Sequence, residues 1–391
     1  MNFISLNSLS LVSKRFAVFS VLAFLTLVGF ASQTEPAHHG VEETVKEEKF
    51  NPTEMIMHHI SDSHEFHVYG DNETGLTIPL PIILWTNNGL VTFMSGEFHH
   101  NDDASHVVDV NGQRFVKFHD KIYYAAETAN EHGQFIELDE EHHAKGEKPL
   151  DFSITKSVFS MLLSVTVILL VFFSVAAAYR KRGNVAPKGL QSFMEPLILF
   201  VRDDIAIPNI GEKKAGKYLP YLLTVFFFIW INNLIGLIPF FPFGANLTGN
   251  IAFTFTMAFI TLIVTNLSGN KDYWGHIFNT PGVPWWLKFP VPLMPLVEFA
   301  GVIAKPFALM IRLFANISAG HIVILSLISL IFIFQSYAIA PVSVGFVLFM
   351  NVLELLVAAL QAYIFTLLTA LFIGSAVAEH HHDHGHEDAH H

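Results

Sequence analysis

Long apolar runs are the feature that most restricts how this chain can fold. From Thr155 onward, five stretches are each long enough to cross a hydrocarbon core about 30 Å thick, which takes about 20 helical residues. Lipid offers no hydrogen bonds to the backbone, so each stretch is predicted to be a helix. The predicted crossings are Ser157 to Ala178, Leu219 to Phe240, Ile251 to Leu267, about Leu293 to Phe334, and Val344 to about Val377. The last two are too long for a perpendicular crossing, so we expect them to be strongly tilted or to follow a curved partner.

Charge divides the 391 residues into four regions. Residues 1–33 are typical of a secretory signal peptide, because Lys14 and Arg15 precede an apolar run that ends in small residues; a signal anchor is the alternative. Residues 34–150 hold 22 acidic against seven basic side chains and are predicted to form an acidic, His-rich periplasmic domain. Residues 151–378 form the predicted membrane domain, and residues 379–391 form a His-rich cytoplasmic tail.

The outer domain is predicted to be small and rich in β-structure. Its apolar residues alternate in short segments typical of strands: EFHVYG, LTIPLPIILW, LVTFM, RFVKFH and KIYYAA. Asn88-Gly89 lies between the second and third segments and predicts a two-residue hairpin turn. The expected fold class is therefore an all-α polytopic membrane protein with a small β-rich extramembrane domain.

Positive charge predicts the orientation of the crossings in a bacterial inner membrane. Lysines and arginines follow the first crossing, precede the second and separate the third from the fourth: Arg180, Lys181, Arg182, Lys188, Lys213, Lys214, Lys217, Lys271 and Lys288. These loops and the C-terminus are expected in the cytoplasm. The apolar stretch LQSFMEPLILFVRDDIAI, between Lys188 and Lys217, favours a helical hairpin at the cytoplasmic interface.

Ionisable side chains within the crossings are functional candidates, because a charge at membrane depth costs a few kcal/mol or more. They are Glu298, Lys305, Arg312, His321 and Glu354. The first three share one helix face at intervals of seven residues, with Asn316 four residues beyond Arg312. An ion pair between Glu298 and Lys305 that fixes helix packing would explain those two residues without any function.

Arg312 stays protonated at physiological pH and has no acid within one turn of its own helix. Its partner is either Glu354, in a purely structural pair, or a carboxylate of another subunit. His321 lies about 13 Å beyond Arg312 toward the outside, and Glu354 enters the next crossing from that side. A histidine and an acid outside a permanent cation suit a proton entry path, although a histidine that only packs is the alternative. Gln361, seven residues past Glu354, continues that face inward.

Three segments closely resemble the a-subunit family of F-type ATP synthases, the stators that face the rotating c-ring. They are KYLPYLLTVFFFIWINNLIGLIP, EFAGVIAKPFALMIRLFANISAGHIVIL and NVLELLVAALQAYIFTLLTALF, within a resemblance that spans about Asp151 to Ala378. The resemblance implies that Arg312 is the essential stator charge and that His321 and Glu354 serve the outer half-channel, as in mitochondrial forms. Many bacterial members exchange the acid and the histidine between these positions. It also implies that Gln361 lies beside the arginine and Glu298 toward the inner half-channel.

The resemblance also implies which partners the chain has and that catalysis takes place on other subunits. The expected partners are the c-ring, the b subunit and the remaining ATP synthase subunits, together with the lipid bilayer. No cofactor and no catalytic site of the chain's own are expected. The proton-translocation residues are then Arg312, His321, Glu354, Gln361, Glu298 and Asn316. The resemblance does not cover the outer domain, whose function stays open.

Other functions find little support in the residues. The absence of cysteine excludes disulfides and thiol chemistry, and there is no basic stripe for nucleic acid. GEKKAGKY resembles a P-loop but carries Tyr218 where the Mg²⁺-binding hydroxyl belongs, and HEDAH lies in the last six residues without room for a zinc-protease helix. The main alternative is a His-rich metal-cation transporter, for which only His321 and Glu354 are available within the spans. An intramembrane hydrolase would need a nucleophile or paired aspartates at membrane depth, and no aspartate lies in a crossing.

Overall fold

The computed structural model describes residues 56, 60–69, 76–139, 143–182, 186–238, 244–278, 293–336 and 338–378. All of them belong to one compact unit, Phe50–His391. The predicted signal peptide, the C-terminal tail and the histidines at 58, 59 and 142 lie outside the described residues.

The outer domain consists of short antiparallel strands, as predicted. The described strands form a β1–β2 pair, a β4–β3–β8 sheet and a β5–β6–β7 sheet. Their bounds are β1 Glu65–Tyr69, β2 Leu76–Pro79, β3 Pro81–Thr86, β4 Gly89–Met94, β5 Val108–Val110, β6 Gln113–Phe118, β7 Lys121–Tyr124 and β8 Leu150–Asp151. The last two sheets share a core that includes Ile82, Leu84, Phe98 and Phe115. The sequence did not predict β5 and β8, because strands of three and two residues are too short to display an alternation.

The hairpin between β3 and β4 is confirmed, but its turn lies one residue earlier than predicted. Thr86 pairs with Gly89, so Asn87 and Asn88 form the turn and Gly89 begins β4 with a φ of 112°. The Thr86 hydroxyl donates to the Gly89 carbonyl at 2.8 Å and accepts from the Asn88 amide at 3.2 Å. These two bonds close the turn around Asn87-Asn88, while glycine tolerates the positive φ at the next position.

Five of the described helices are long and apolar enough to cross a membrane, as predicted. The α-helices are α1 Lys156–Arg182, α2 Leu190–Phe200, α3 Ile207–Ile210, α4 Glu212–Gly236, α5 Ile251–Ser268, α6 Lys271–Phe278, α7 Leu293–Phe334 and α8 Ala340–Val377. Helices α1, α4, α5, α7 and α8 are the five candidates for spans. At 42 and 38 residues, α7 and α8 are roughly 60 Å long, about twice the hydrocarbon thickness.

The stretch predicted as an interfacial hairpin is instead one nearly continuous helical rod. A π-helical segment, Val201–Ala206, joins α2 to α3, and the chain reverses only at Gly211, where φ is 91°. Arg202 to Asp204 are exposed on this segment, whereas Val201 and Ile205 are fully buried. The wider π turn thus keeps the charges outward without ending the helix.

The membrane helices pack around one apolar core, which includes Leu222, Leu313, Phe365 and Ile373. The β-domain leads directly into the start of α1, at the bundle end where α4 ends and α5 begins. At the opposite end, the Lys214 ammonium donates to the Val377 carbonyl at 2.7 Å. Lys213, Lys214 and Lys217, which were predicted to be cytoplasmic, lie in the first turns of α4 and therefore at the end remote from the outer domain.

Candidate functional site

Helices α7 and α8 run antiparallel and bring His321 and Glu354 together. His321 Nδ1 lies 2.7 Å from Glu354 Oε1, and the Glu354 side chain is only 3% exposed. The other ring nitrogen, Nε2, lies 3.3 Å from the carbonyl oxygen of Gly236, at the end of α4. Three helices therefore hold the imidazole.

The contacts of His321 restrict where its protons can be. A backbone carbonyl only accepts, so Nε2 carries a hydrogen when it bonds to Gly236. Nδ1 then faces a carboxylate, either as a donor from an imidazolium or as an acceptor from a protonated Glu354. Nδ1 and Oε1 are close enough for an ion pair, but neither forms an aligned hydrogen bond among the described residues, so a small rotation of one side chain would be needed for a proton to pass between them.

Gly320 lets Glu354 approach α7 this closely. A β-carbon at position 320 would lie 2.9 Å from Glu354 Oε1 and 3.1 Å from its carboxyl carbon. A contact of 2.9 Å is closer than real β-carbons show, so the Glu354 carboxylate would have to shift away from His321 if position 320 carried a side chain. The glycine therefore favours the close ion pair and is not needed for the backbone of α7. The sequence prediction missed Gly320, and its position beside His321 was the only signal.

Asn316 and Gln361 form a second polar contact between the same helices. The Asn316 amide nitrogen donates to Gln361 Oε1 at 2.9 Å, and Gln361 is buried. Gln361 Nε2 has no hydrogen-bond partner among the described residues. Asn316 lies one helical turn from Arg312, so the Gln361 amide is held close to the level of the guanidinium.

Arg312 lies on the exposed face of α7, away from the bundle core. Within the described ranges, its guanidinium has neither a carboxylate nor a hydrogen-bond partner, and Glu354 faces His321 instead. The exposed face on either side of it is lined by small residues, namely Ala304, Ala308, Ala315 and Ala319. These alanines let another helix approach the guanidinium closely.

Glu298 and Lys305 do not form the packing ion pair considered from the sequence. Among the described side chains, the Lys305 ammonium lies 5.8 Å from the centre of the Phe372 ring, and Glu298 is half-buried without an ion-pair partner. Glu298 lies about 21 Å from Arg312 along the helix, on the side opposite His321. Arg312 therefore separates an acid near one end of α7 from the His321–Glu354 pair toward the other.

No group of three or more potential metal ligands occurs among the residues that the structure describes. The His-rich outer segments therefore supply no described metal centre, and nothing supports the metal-transporter alternative.

Two family models match this chain, and they meet near the point where the β-domain ends and α1 begins. Residues 158–374 match the family model "ATP synthase A chain", and residues 55–152 match a domain of unknown function. The chain is 49% identical over 243 residues to "ATP synthase subunit a" of Chloroherpeton thalassium, which covers 61% of the chain and 70% of that protein. The proteins of the same name from Anaeromyxobacter sp. and Myxococcus xanthus are 48% and 44% identical over 249 and 246 residues. These matches cover 62% and 61% of the chain, and 57% and 78% of the respective relatives.

Proposed function

This chain belongs to the ATP synthase A chain family and is the proton-channel stator subunit of an F-type ATP synthase, and we propose that Arg312 separates its two proton half-channels. The observation that carries this proposal is the exposed guanidinium between Glu298 and the His321–Glu354 pair, which has no partner in the part of the chain that the structure describes. An arginine keeps its proton at any physiological pH, so it blocks a direct relay between the two sides.

Arg312 also acts on the c-ring, which is the partner proposed for the exposed face of α7. A c-ring carboxylate is neutral when it faces lipid and ionised when it exchanges its proton with water. The guanidinium stabilises the ionised form as each carboxylate passes. The alanines around Arg312 support this assignment, because small side chains allow the close approach that a charge-assisted hydrogen bond requires.

His321 and Glu354 supply protons to the incoming carboxylate from the periplasmic side. Glu298 assists their release to the cytoplasm after nearly a full turn of the ring. Asn316 and Gln361 position the polar face of α7 and α8 beside Arg312. The buried ion pair at 2.7 Å supports the entry role, because it places two proton-exchanging groups in contact.

The remaining assignments follow from the orientation. Residues 1–33 act as a signal peptide, 34–150 form a periplasmic domain, 151–378 form the membrane domain and 379–391 form a cytoplasmic tail of a bacterial inner-membrane protein. The b subunit and the other ATP synthase subunits are the further partners. The chain has no catalytic site of its own, since ATP chemistry takes place on other subunits of the complex.

The test is ATP-driven proton pumping in membranes that contain the assembled complex. Arg312→Ala is expected to abolish pumping while the complex still assembles. Lys305→Ala is the matched control, because it removes a cation of the same helix that lies against Phe372, and it should retain most of the pumping. Normal pumping by Arg312→Ala would mean that the arginine only packs, and the stator mechanism would then be wrong.

A further inference from the structure

Asp62 of the outer domain touches the membrane domain at two helix ends. Its carboxylate accepts hydrogen bonds from the Ser157 amide at 3.0 Å and the Thr155 hydroxyl at 3.1 Å, at the start of α1. The side chain of Asn250, just before α5, donates to the same carboxylate at 3.4 Å. A carboxylate of the outer domain is therefore fixed at the mouth of the helix bundle.

A polar cavity of about 190 Å³ lies at this junction. One wall comes from the outer domain and the start of α1, and the other from the loop between α4 and α5: Ile60, Ser61, Asp62, Lys156 and Ser157, and Gly244, Ala245, Asn246, Gly249 and Asn250. A cavity of this volume with polar walls holds several water molecules.

The outer-domain side of the cavity carries more acids than bases. The Ser61 hydroxyl donates to Asp120 at 2.5 Å, and the carboxylates that act on the Lys156 ammonium are those of Asp120, Asp62 and Glu65. Further out, Lys117 lies 3.5 Å from Glu65. Acids in excess at a confined opening raise the local concentration of protons.

Buried polar groups lead from this cavity toward the His321–Glu354 pair. Thr248, in the same loop, donates from its buried hydroxyl to Asn233 Oδ1 at 2.8 Å. The Asn233 amide nitrogen donates to the Ala358 carbonyl at 3.2 Å, one turn along α8 from Glu354. The loop also lies against Gly236, whose carbonyl contacts His321; a β-carbon there would be 3.5 Å from the Ala245 oxygen.

We propose that the outer domain forms the entrance of the proton entry path, with the cavity as its water-filled vestibule and Asp62 as the proton-exchanging group at the mouth. Asp62 takes a proton from outside water and releases it to water in the cavity, so the carboxylate is regenerated at each passage. Thr248 and Asn233 line the route from there to His321 and Glu354. This inference rests on the proposed function and extends it to a domain of unknown function.

The first test asks whether the cavity lies on the proton path. The chain has no cysteine, so each variant introduces the only thiol of this subunit. We expect that a membrane-impermeant, positively charged methanethiosulfonate applied from the outer side labels Asn246→Cys and lowers proton-driven ATP synthesis about fivefold. Phe255→Cys, exposed on α5, and the wild-type complex should be unaffected. Labelling of Asn246→Cys without loss of synthesis, or no labelling at all, would overturn the proposal that the cavity is a vestibule of the proton path. Ser61→Cys, on the opposite wall, repeats the test if Asn246→Cys does not assemble.

The second test separates proton exchange by Asp62 from its role in docking the domain. Asparagine keeps the oxygen that accepts from the Ser157 amide and does not exchange protons, but it places an amide group where Thr155 and Asn250 donate. Glutamate keeps both oxygens and the exchange, so the variants are compared at equal amounts of assembled complex and with the thermal inactivation midpoint of each measured as a readout of docking. Asp62→Asn should lower proton-driven ATP synthesis about threefold per assembled complex, and Asp62→Glu should restore most of it. Wild-type synthesis by Asp62→Asn, or equal loss in both variants, would refute proton exchange at this residue.

A parallel Glu354→Gln variant distinguishes failure of this inference from failure of the proposed function. If Glu354→Gln loses synthesis and Asp62→Asn does not, the stator mechanism stands and the role of Asp62 is wrong. If Glu354→Gln also retains full synthesis, the proposed entry path itself is wrong.

Discussion

The outer domain and the α7–α8 pair differ in whether a prominent cation has a partner within the chain. In the outer domain, Lys117 is 3% exposed and lies 3.5 Å from Glu65 and 3.8 Å from Asp102. On α7, Arg312 is exposed and has no partner within the described ranges. The buried cation of the outer domain is thus paired within the chain, whereas the exposed cation of α7 is not paired among the described residues.

The difference indicates which surface requires another subunit. An unpaired cation at membrane depth costs a few kcal/mol or more, so the exposed face of α7 is incomplete by itself. A buried cation such as Lys117, which already has two carboxylates nearby, gains little from a further partner. Removal of the exposed arginine should therefore damage coupling, whereas removal of a buried pair in the outer domain should damage stability.

The largest effect is expected from Arg312→Lys, which keeps the charge but not the planar guanidinium. A buried lysine loses its proton far more readily than arginine and donates no paired hydrogen bonds to a carboxylate. Proton-driven ATP synthesis should fall by about a hundredfold or more, although the complex assembles. Wild-type pumping in Arg312→Lys membranes would show that charge alone suffices.

Removal of either member of the ion pair should have the next largest effect. Glu354→Gln and His321→Ala should each slow proton-driven ATP synthesis by about tenfold or more, because each removes a proton-exchanging group. The double variant should be little worse than either single one, since the pair acts as a unit. Leu355→Ala, on the exposed face of α8, is the control, and unchanged synthesis in both single variants would reduce the pair to a packing contact.

A glycine pair tests the geometry of the site without changing any charge. Gly320→Ala pushes a methyl group against the Glu354 carboxylate, whereas Gly301→Ala enters open space on the same helix. Proton-driven ATP synthesis should fall about two- to fivefold in the first variant and remain normal in the second. Equal rates in the two variants would mean that the close contact of His321 with Glu354 does not limit proton entry.

A second glycine pair tests how the α2–α3 rod is held. A β-carbon at Gly374 would clash with the backbone carbonyl of Asn209, which cannot rotate away, whereas Gly345 on the same helix has open space. Gly374→Ala should destabilise the packing by about 1–3 kcal/mol and lower the thermal inactivation midpoint of the solubilised complex. Gly345→Ala should leave that midpoint unchanged; an equal midpoint for both variants would contradict tight docking of the rod.

The smallest effect is expected at Asp151 in the outer domain. Burial raises the pKa of this carboxyl, but hydrogen bonds from His64 and Ser153 outweigh it and hold the pKa below the usual 3.8. The stabilisation is therefore complete above pH 3.8 and is lost as the pH falls below it. Hydrogen-exchange protection of the Trp85–Leu150 strand pair should decrease over that range in the wild type but not in Asp151→Asn. If protection depended on pH in the same way in both proteins, the Asp151 carboxylate would not contribute to the stability of this strand pair.

Sequence reasoning was most successful where one physical rule acts along a contiguous stretch. The need to satisfy the backbone in lipid predicted all five long helices, and alternation predicted most strands of the outer domain. The antiparallel order of the last two crossings also indicated that His321 and Glu354 lie near one another. The sequence did not predict that the two side chains lie 2.7 Å apart or that the carbonyl of Gly236 on a third helix contacts the imidazole, because distances between helices depend on packing.

The residues that sequence reasoning missed become notable only through contacts with residues that are distant in the sequence. Thr248 and Asn233 are ordinary polar residues until the loop between α4 and α5 folds back onto α4. The rod of α2 and α3 was predicted as a hairpin because an apolar stretch with charged ends suits the membrane interface better than a span, and a π turn carries no obvious sequence signal. Such features arise from long-range contacts that a local pattern does not contain.

The length of α7 has a consequence for how the membrane potential does its work. Glu298 and His321 are 23 residues apart, which is about 35 Å of helix. At 42 residues, α7 is about twice as long as a hydrocarbon core of about 30 Å, so it is expected to tilt, and a tilt displaces these two side chains in the plane of the membrane as well as in depth. Under the proposed function, a proton that enters beside one of them and leaves beside the other is carried sideways between two columns of water. The voltage acts along the membrane normal, and in this proposal the tilt converts part of its drop into a force along the membrane plane, which is what turns a rotor.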